Sequence, residues 1–385
     1  MASLHLTGSI VVDATTQHDE AWVVDGRITF VRPGGAPALA DAAGAPADDA
    51  RAGAGGWVEL SGVAIPGLVD VHCHVGLDTG GPVEPELAAK QAIVDRDAGT
   101  LLIRDAGSPI DNSFVHERDD LPRLVRAGRF IARPKRYLRG YAHEVEPEDL
   151  VNTVIQEARR GDGWVKLIAD WVDRDAGDLT PLWPADVLAD AIAAAHAEGA
   201  RVTAHTFATE SIDPMLDAGI DCIEHGTGMT RAQMDRAAAA GVPVVPTLLQ
   251  VANFASYADQ GEAKFPAYAA RMRPMYDNRY AQVRAFRDAG LTMLVGTDAG
   301  GTIGHGAIAE EAALMVEAGI PATEVVAAAS WTARDFLGVA GLEEGASADL
   351  VVYPRDPRTD ISALAEPVAV VLRGTVVASA TPVVA

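Results

Sequence analysis

Residues 63–74 read VAIPGLVDVHCH, a run of β-branched and aliphatic side chains that ends in two histidines one residue apart. A run apolar on both alternations suits a strand buried on both faces, as in parallel sheets covered by helices. Seven later segments share its texture: TLLIRDAG (100–107), RFIARPKRYL (129–138), WVKLIAD (164–170), ARVTAHTF (200–207), GIDCIEHG (219–226), VPVVPTLL (242–249) and LTMLVGTDA (291–299). Between them lie Ala-rich amphipathic runs, among them PELAAKQAIVDRDAG (85–99), PEDLVNTVIQEARRG (147–161) and PADVLADAIAAAHAEG (184–199). Eight strands alternating with helices predict the α/β class and a TIM (β/α)8 barrel. The long run from Phe254 to Ala289 reads as an enlarged loop plus helix near the rim, and two further helices end near Leu337.

The two ends of the chain have another texture. LHLTGSIVV and DEAWVVDGRITFVRP read as short strands, with a hairpin turn at Asp25-Gly26. The stretch from Gly34 to Gly56 has no periodicity and reads as loop. ADLVVYP and PVAVVLRGTVVAS, with a turn at Arg373-Gly374, repeat the strand texture at the tail. The termini are therefore expected to pair into one small β-sandwich, built from 1–61 and 341–385, around a barrel domain at 62–340.

The formal net charge of −23 argues against nucleic acid as a partner, since phosphate binding needs a basic face. The same charge leaves a small-molecule substrate open. Cys73 and Cys222 both sit in apolar strand-like runs and read as buried reduced thiols. MASLHLTGSIVVDATT lacks a basic start followed by a long apolar core, and no apolar stretch reaches membrane-spanning length. The expectation is a cytoplasmic protein with no membrane partner; oligomeric state is not legible, although barrels of this kind commonly pair as homo-oligomers.

The residues that carry chemistry fall at the C-terminal ends of the strands, which in a barrel converge on one face. His72 and His74 end the first strand and, two apart, point to the same side. Lys166 lies in the fourth, His205 ends the fifth, His225 the sixth and Asp298 the eighth. Each alone has a plainer explanation: a core histidine, an ion-paired lysine, an aspartate capping a helix. Together, four imidazoles and a carboxylate on one rim form a ligand set suited to zinc or a similar divalent ion.

These residues, with PGLVDVHCHVGLD, IEHGTG, GTDAGG and GASADLVVYPRDP, resemble the amidohydrolase superfamily, in particular its imidazolonepropionase-like and Xaa-Pro dipeptidase-like branch. The resemblance spans almost the whole chain. It implies that His72, His74 and Asp298 hold one divalent metal ion, that His205 and His225 hold a second, and that a carboxylated Lys166 bridges the two. It implies further that a hydroxide between the ions attacks an amide, in a dipeptide or N-acyl amino acid, with Asp298 as catalytic general acid/base. Deaminases of the superfamily carry a glutamate three residues after the fifth-strand histidine, where this chain has Ala208 and the nearest acid is Glu210. The single-metal ring opener of the branch does not use a bridging lysine, and Lys166 is present here. Opening of a cyclic amide or lactone is the alternative chemistry, and a non-catalytic scaffold would require lost ligands, none of which is missing.

For substrate contacts the resemblance offers His143 and, beside it, Tyr141; His305 in GGTIGHG is a third candidate. Lys135, Arg136 and Arg139 form a local basic cluster able to clamp a carboxylate, or to stay solvated. Arg104-Asp105 reads as a structural turn, and strand alternation points Glu224 away from the site.

Overall fold

The structure, a computed structural model, describes residues 3–36 and 56–380, with the backbone alone of 51–52. The expected loop from Gly34 to Gly56 lies largely outside the described residues; within it, Arg51–Ala52 pairs as a two-residue strand with Ala52 opposite Val58.

Two sets of parallel strands carry the central domain. Leu68–Cys73, Thr100–Asp105 and Arg123–Arg126 pair in one. Ile131–Ala132, Trp164–Ile168, Arg201–Thr206, Cys222–His225 and Val244–Val245 pair in the other. The third segment joins the sets covalently but is interrupted, because the chain bends at Gly128 with φ +70°. It therefore begins at Arg123, earlier than the sequence suggests, and stops at Ala132, where Pro134 and Lys135 (φ 62°) turn it outward. The eighth segment contributes isolated bridges, Val244 with Met293 and Cys73 with Ala299, and the Val71 N–H donates to the Val295 carbonyl at 3.0 Å. The result is an α/β, TIM-barrel-like arrangement with the segments in sequential order. Strands such as Leu68–Cys73, Thr100–Asp105 and Trp164–Ile168 are buried at every position, as expected of mainly apolar runs covered on both faces.

The three quoted helical runs fold as Pro85–Asp97, Leu150–Arg160 and Ala185–Ala197. Leu150–Arg160 buries Leu150, Val154, Glu157 and Ala158, one face at helical spacing. The run from Phe254 to Ala289 is more ordered than a loop plus helix. It forms Phe254–Gly261, Pro266–Asp277 and Arg279–Asp288, which stand beside the site. Three helices, not two, then lead to the tail: Ile308–Glu317, Ala322–Ala328 and Trp331–Leu337.

The two ends of the chain share one mixed sheet, joined where Trp57–Pro66 pairs parallel with Ser3–Val11 and antiparallel with Leu350–Tyr353. Both expected turns form, with Asp25 and Gly26 at φ 50° and 78° and Arg373 and Gly374 at φ 50° and 77°. Leu4, Leu6, Val23, Leu60, Leu350 and Val371 pack into a separate apolar cluster against this sheet. Trp57–Pro66 runs almost directly into Leu68–Cys73, so the sheet is anchored to the strand that bears His72 and His74. Among the described residues no helix is long and apolar enough to cross a membrane.

Candidate metal centre

Strand register brings all six expected ligands together. Asp298 Oδ1 lies 3.2 Å from His72 Nε2 and 2.9 Å from His74 Nε2. Lys166 Nζ is 3.4 Å from His72 Nε2, and His205 Nδ1 is 3.0 Å from His225 Nε2. The His72 and His225 rings, 5.1 Å apart at their centroids, join the two groups. All six side chains are buried.

The outer nitrogens of three imidazoles fix which nitrogen faces inward. His74 Nδ1 is 2.7 Å from the Gly107 carbonyl, which can only accept. His225 Nδ1 is 2.6 Å from Thr247 Oγ1, whose own proton goes to the Pro246 carbonyl at 2.8 Å. His72 Nδ1 is 2.7 Å from Glu224 Oε2, an ion-pair distance without hydrogen-bond alignment. Each Nδ1 therefore carries a proton, which leaves Nε2 facing inward, toward Asp298 in His72 and His74 and toward His205 Nδ1 in His225. His205 is reversed, with Nδ1 inward and a buried Nε2 that has no hydrogen-bond partner among the described residues.

The electrostatics match a cation-binding set. Burial lowers His225 to about 3 and holds His205 well below the usual histidine range. Burial also lowers Lys166, favouring its neutral amine. Burial alone would raise Asp298, but His72 and His74 outweigh it and keep the carboxylate well below its ordinary value. His72 goes the other way: burial and Lys166 depress it, while Glu224 and Asp298 prevail and raise it. Imidazole nitrogens, an amine and a carboxylate packed this closely make a set that a divalent cation would satisfy. The residues present fit the metal centre that the sequence implies.

Buried carboxylates hold the loops that carry these ligands. Asp70 accepts from the His72 and Thr297 amides, both at 3.1 Å, and from Thr297 Oγ1 at 2.6 Å, tying the first strand to the eighth. Asp105 accepts from the Val75 and Gly107 amides at 2.9 and 3.0 Å, behind His74. Asp170 accepts from Phe207 and Ala208 amides beyond His205, and Glu311 from Leu248 and Leu249 amides beside Thr247. Burial raises the three aspartates to about 7 and Glu311 to about 8. The bracing has a strain to hold, since His225, Thr247 and Asp298 take φ of 65°, 47° and 59°. Such left-handed conformations cost a non-glycine residue roughly 1–3 kcal/mol each. Glu311→Ala strands two buried amides and is expected to lower stability by about 3 kcal/mol. Urea unfolding checks this; a loss below about 1 kcal/mol would remove the bracing role.

Two glycines of GTDAGG are sterically required. A Cβ at Gly296 would lie 2.6 Å from His72 Cβ, and one at Gly300 (φ +101°) would lie 2.6 Å from the His74 carbonyl oxygen.

The remaining candidates divide. Tyr141 lines the cavity above the centre. His143 does not reach it; its Nε2 faces Glu157 Oε1 at 3.0 Å, on the helix Leu150–Arg160. His305 lies behind the first strand, where Nδ1 meets Asp95 Oδ2 at 2.8 Å and Cys73 Sγ at 3.8 Å. Asp95 also accepts from the Gly306 amide at 2.7 Å, so this pair anchors the glycine-rich loop. Within the basic cluster, Arg136 is spent on Asp173 and on the Trp171 and Thr180 carbonyls, and Lys135 and Arg139 stand exposed outside the cavity. Arg104 is structural as expected, fully buried over the Trp164 ring at 4.6 Å and paired with Glu224. Glu224 stays out of the cavity, yet it is not remote, because it joins Arg104 and Thr203 to the back of His72. Cys73 and Cys222 are buried free thiols.

Sequence reading missed the cavity wall. The cavity holds about 520 Å³ above the six ligands and is walled by Tyr137, Trp171, Phe207, Tyr257, Phe265 and Tyr268. A cleft of equal volume is lined by Arg123 and Arg373, but the Arg123 guanidinium pairs with Asp349, that of Arg373 donates to the Asp119 and Leu121 carbonyls, and no metal-ligand cluster lies there among the described residues.

Comparison with known proteins agrees with this geometry. The model of the amidohydrolase family matches residues 145–377. An uncharacterized protein of Mycobacterium tuberculosis is 47% identical over 372 residues, covering 96% of this chain and 95% of its own length; one from Mycobacterium bovis matches to the same extent. Among solved structures, a Xaa-Pro dipeptidase with bound methionine superposes with a TM-score of 0.79 at 21% identity, over 97% of this chain and 99% of that one. Ochratoxinase of A. niger gives 0.76 at 19% identity, over 97% and 95%. The chain belongs to the amidohydrolase family and is a hydrolase.

Proposed function

We propose that the protein hydrolyses an amide bond of a dipeptide or N-acyl amino acid, using two divalent cations, zinc foremost, and a carboxylated Lys166. In this reading His72, His74 and Asp298 hold one ion, His205 and His225 the other, and Lys166 bridges them. When bound, such ions lower the pKa of water and polarise a carbonyl. Asp298 supplies the proton traffic: an Oδ oxygen takes the proton of the attacking water and hands it to the departing nitrogen. Lys166 suits carboxylation because burial favours its neutral amine, the form that adds to carbon dioxide. Glu224 orients the His72 ring from behind, and Thr247 does the same for His225.

The observation that carries the reading is the convergence of six buried ligands, with an ionised Asp298 among them, at the floor of one cavity. The similarity in fold to a Xaa-Pro dipeptidase and to ochratoxinase is consistent with amide chemistry. The same proposal covers the finer architecture: a closed eight-stranded barrel over 62–340, with 1–61 and 341–385 curled into a small sandwich, in a cytoplasmic enzyme acting on a small molecule. Incubating metal-replete protein with dipeptides and N-acyl amino acids and assaying the free amine tests the chemistry. Cleavage of at least one class is expected; no cleavage of any amide would overturn it.

A further inference from the structure

The cavity wall says more about the substrate than the ligands do. From His205 the aromatic surface is continuous: Trp171 stands 5.4 Å from its ring and Phe207 4.2 Å, and Tyr137 meets Trp171 edge-on at 4.8 Å. Tyr257 and Tyr268 extend the same surface from the helices Phe254–Gly261 and Pro266–Asp277, and Leu138, 46% exposed, stands at its mouth. Edge-on rings of this kind form a rigid apolar slot that fits another flat ring.

The charge inventory of the slot is lopsided. Among the described residues lining it, Asp298 is the single acid, and it is committed to His72 and His74. Nearby acids do not line it: Asp78 is exposed and accepts from the Thr79 amide at 2.7 Å, and Asp259 and Glu262 bind Arg273 at 3.0 and 2.9 Å. No uncommitted carboxylate lines the slot to pair with the α-ammonium of a free dipeptide, and a charge without a counter-ion entering an apolar slot is costly. The one cation lining it besides Lys166 is Lys264, exposed near the Phe265 ring and without an ion-pair partner among the described residues. It is suited to a carboxylate.

From these features we infer that the substrate is an amide whose acyl side is aromatic and uncharged, with no free α-ammonium, and whose carboxylate meets Lys264. An N-aroyl amino acid is the simplest member of the class. The inference rests on the amide-hydrolase reading above and narrows it against free dipeptides.

The test compares N-benzoyl-phenylalanine with phenylalanyl-phenylalanine on the metal-replete enzyme; both are aromatic and one carries the ammonium. The benzoyl compound is expected to have kcat/KM at least about tenfold higher, a difference of about 1.4 kcal/mol. Equal or better turnover of the free dipeptide overturns the inference while leaving the amide-hydrolase reading intact. If neither is cleaved, that reading is in trouble, and calorimetry on the same protein still decides the substrate class. It uses the uncleavable analogues of both compounds in which methylene replaces the amide nitrogen. Tighter binding of the analogue without ammonium supports the inference, and equal or weaker binding overturns it. Lys264→Gln should raise KM for N-benzoyl-phenylalanine severalfold and leave KM for its methyl ester unchanged. A shift of both together would mean that Lys264 does not meet the carboxylate, overturning that part of the assignment.

Discussion

Asp298→Asn is expected to lower kcat on a cleavable N-acyl amino acid by about 10³-fold while substrate affinity stays within a few fold. The side chain keeps its shape, so packing against His72 and His74 survives. What disappears is the proton acceptor. In the native protein burial pushes against ionisation, but the two imidazoles at 3.2 and 2.9 Å overcome it, and the carboxylate stays charged and ready to accept. An amide oxygen neither takes the proton of water at neutral pH nor returns it to the leaving nitrogen. Steady-state kinetics with an independent binding measurement separates the two effects. Unchanged turnover would remove Asp298 as the base, and a large rise in dissociation constant alone would reassign it to binding.

Lys166→Ala is the second large effect. It should cut metal affinity at least about 100-fold, beyond the loss typical of removing an outer hydrogen bond, and abolish measurable turnover. Lys166 sits midway along Trp164–Ile168, opposite Thr203, and reaches the ligands from below. A bridging carbamate would supply two anionic oxygens that no neighbour replaces, since Glu224 is occupied by Arg104 and His72. Short carboxylic acids that enter the space left by the side chain should restore part of the activity. Full metal content and activity in the variant would show that the lysine is structural.

Five of the six candidate ligands were legible because strand ends in a barrel share one address, and His72, His74, His205, His225 and Asp298 each lie at or near such an end; Lys166, midway along its strand, was offered by the resemblance. Glu224 was half legible. Alternation keeps it out of the cavity, but His225 leaves the strand at φ 65° and the interior neighbour of Glu224 is the back of His72, a contact across 152 residues of chain. His143 looked suited to substrate contact, yet its partner Glu157 is set by helix packing, which a lone histidine does not announce. The third strand was misplaced because Gly128 interrupts it and the chain leaves the sheet after Ala132, turning at Lys135 so that Tyr137 joins the cavity wall. The aromatic wall draws on separate loops and on helices within the Phe254–Ala289 run, so no local pattern assembles it.

Whether Lys166 bridges two ions is decided by elemental analysis of the purified protein after dialysis against metal-free buffer. Close to two divalent ions per chain are expected. A firm value of one would contradict the bridge, even in a protein that hydrolyses amides.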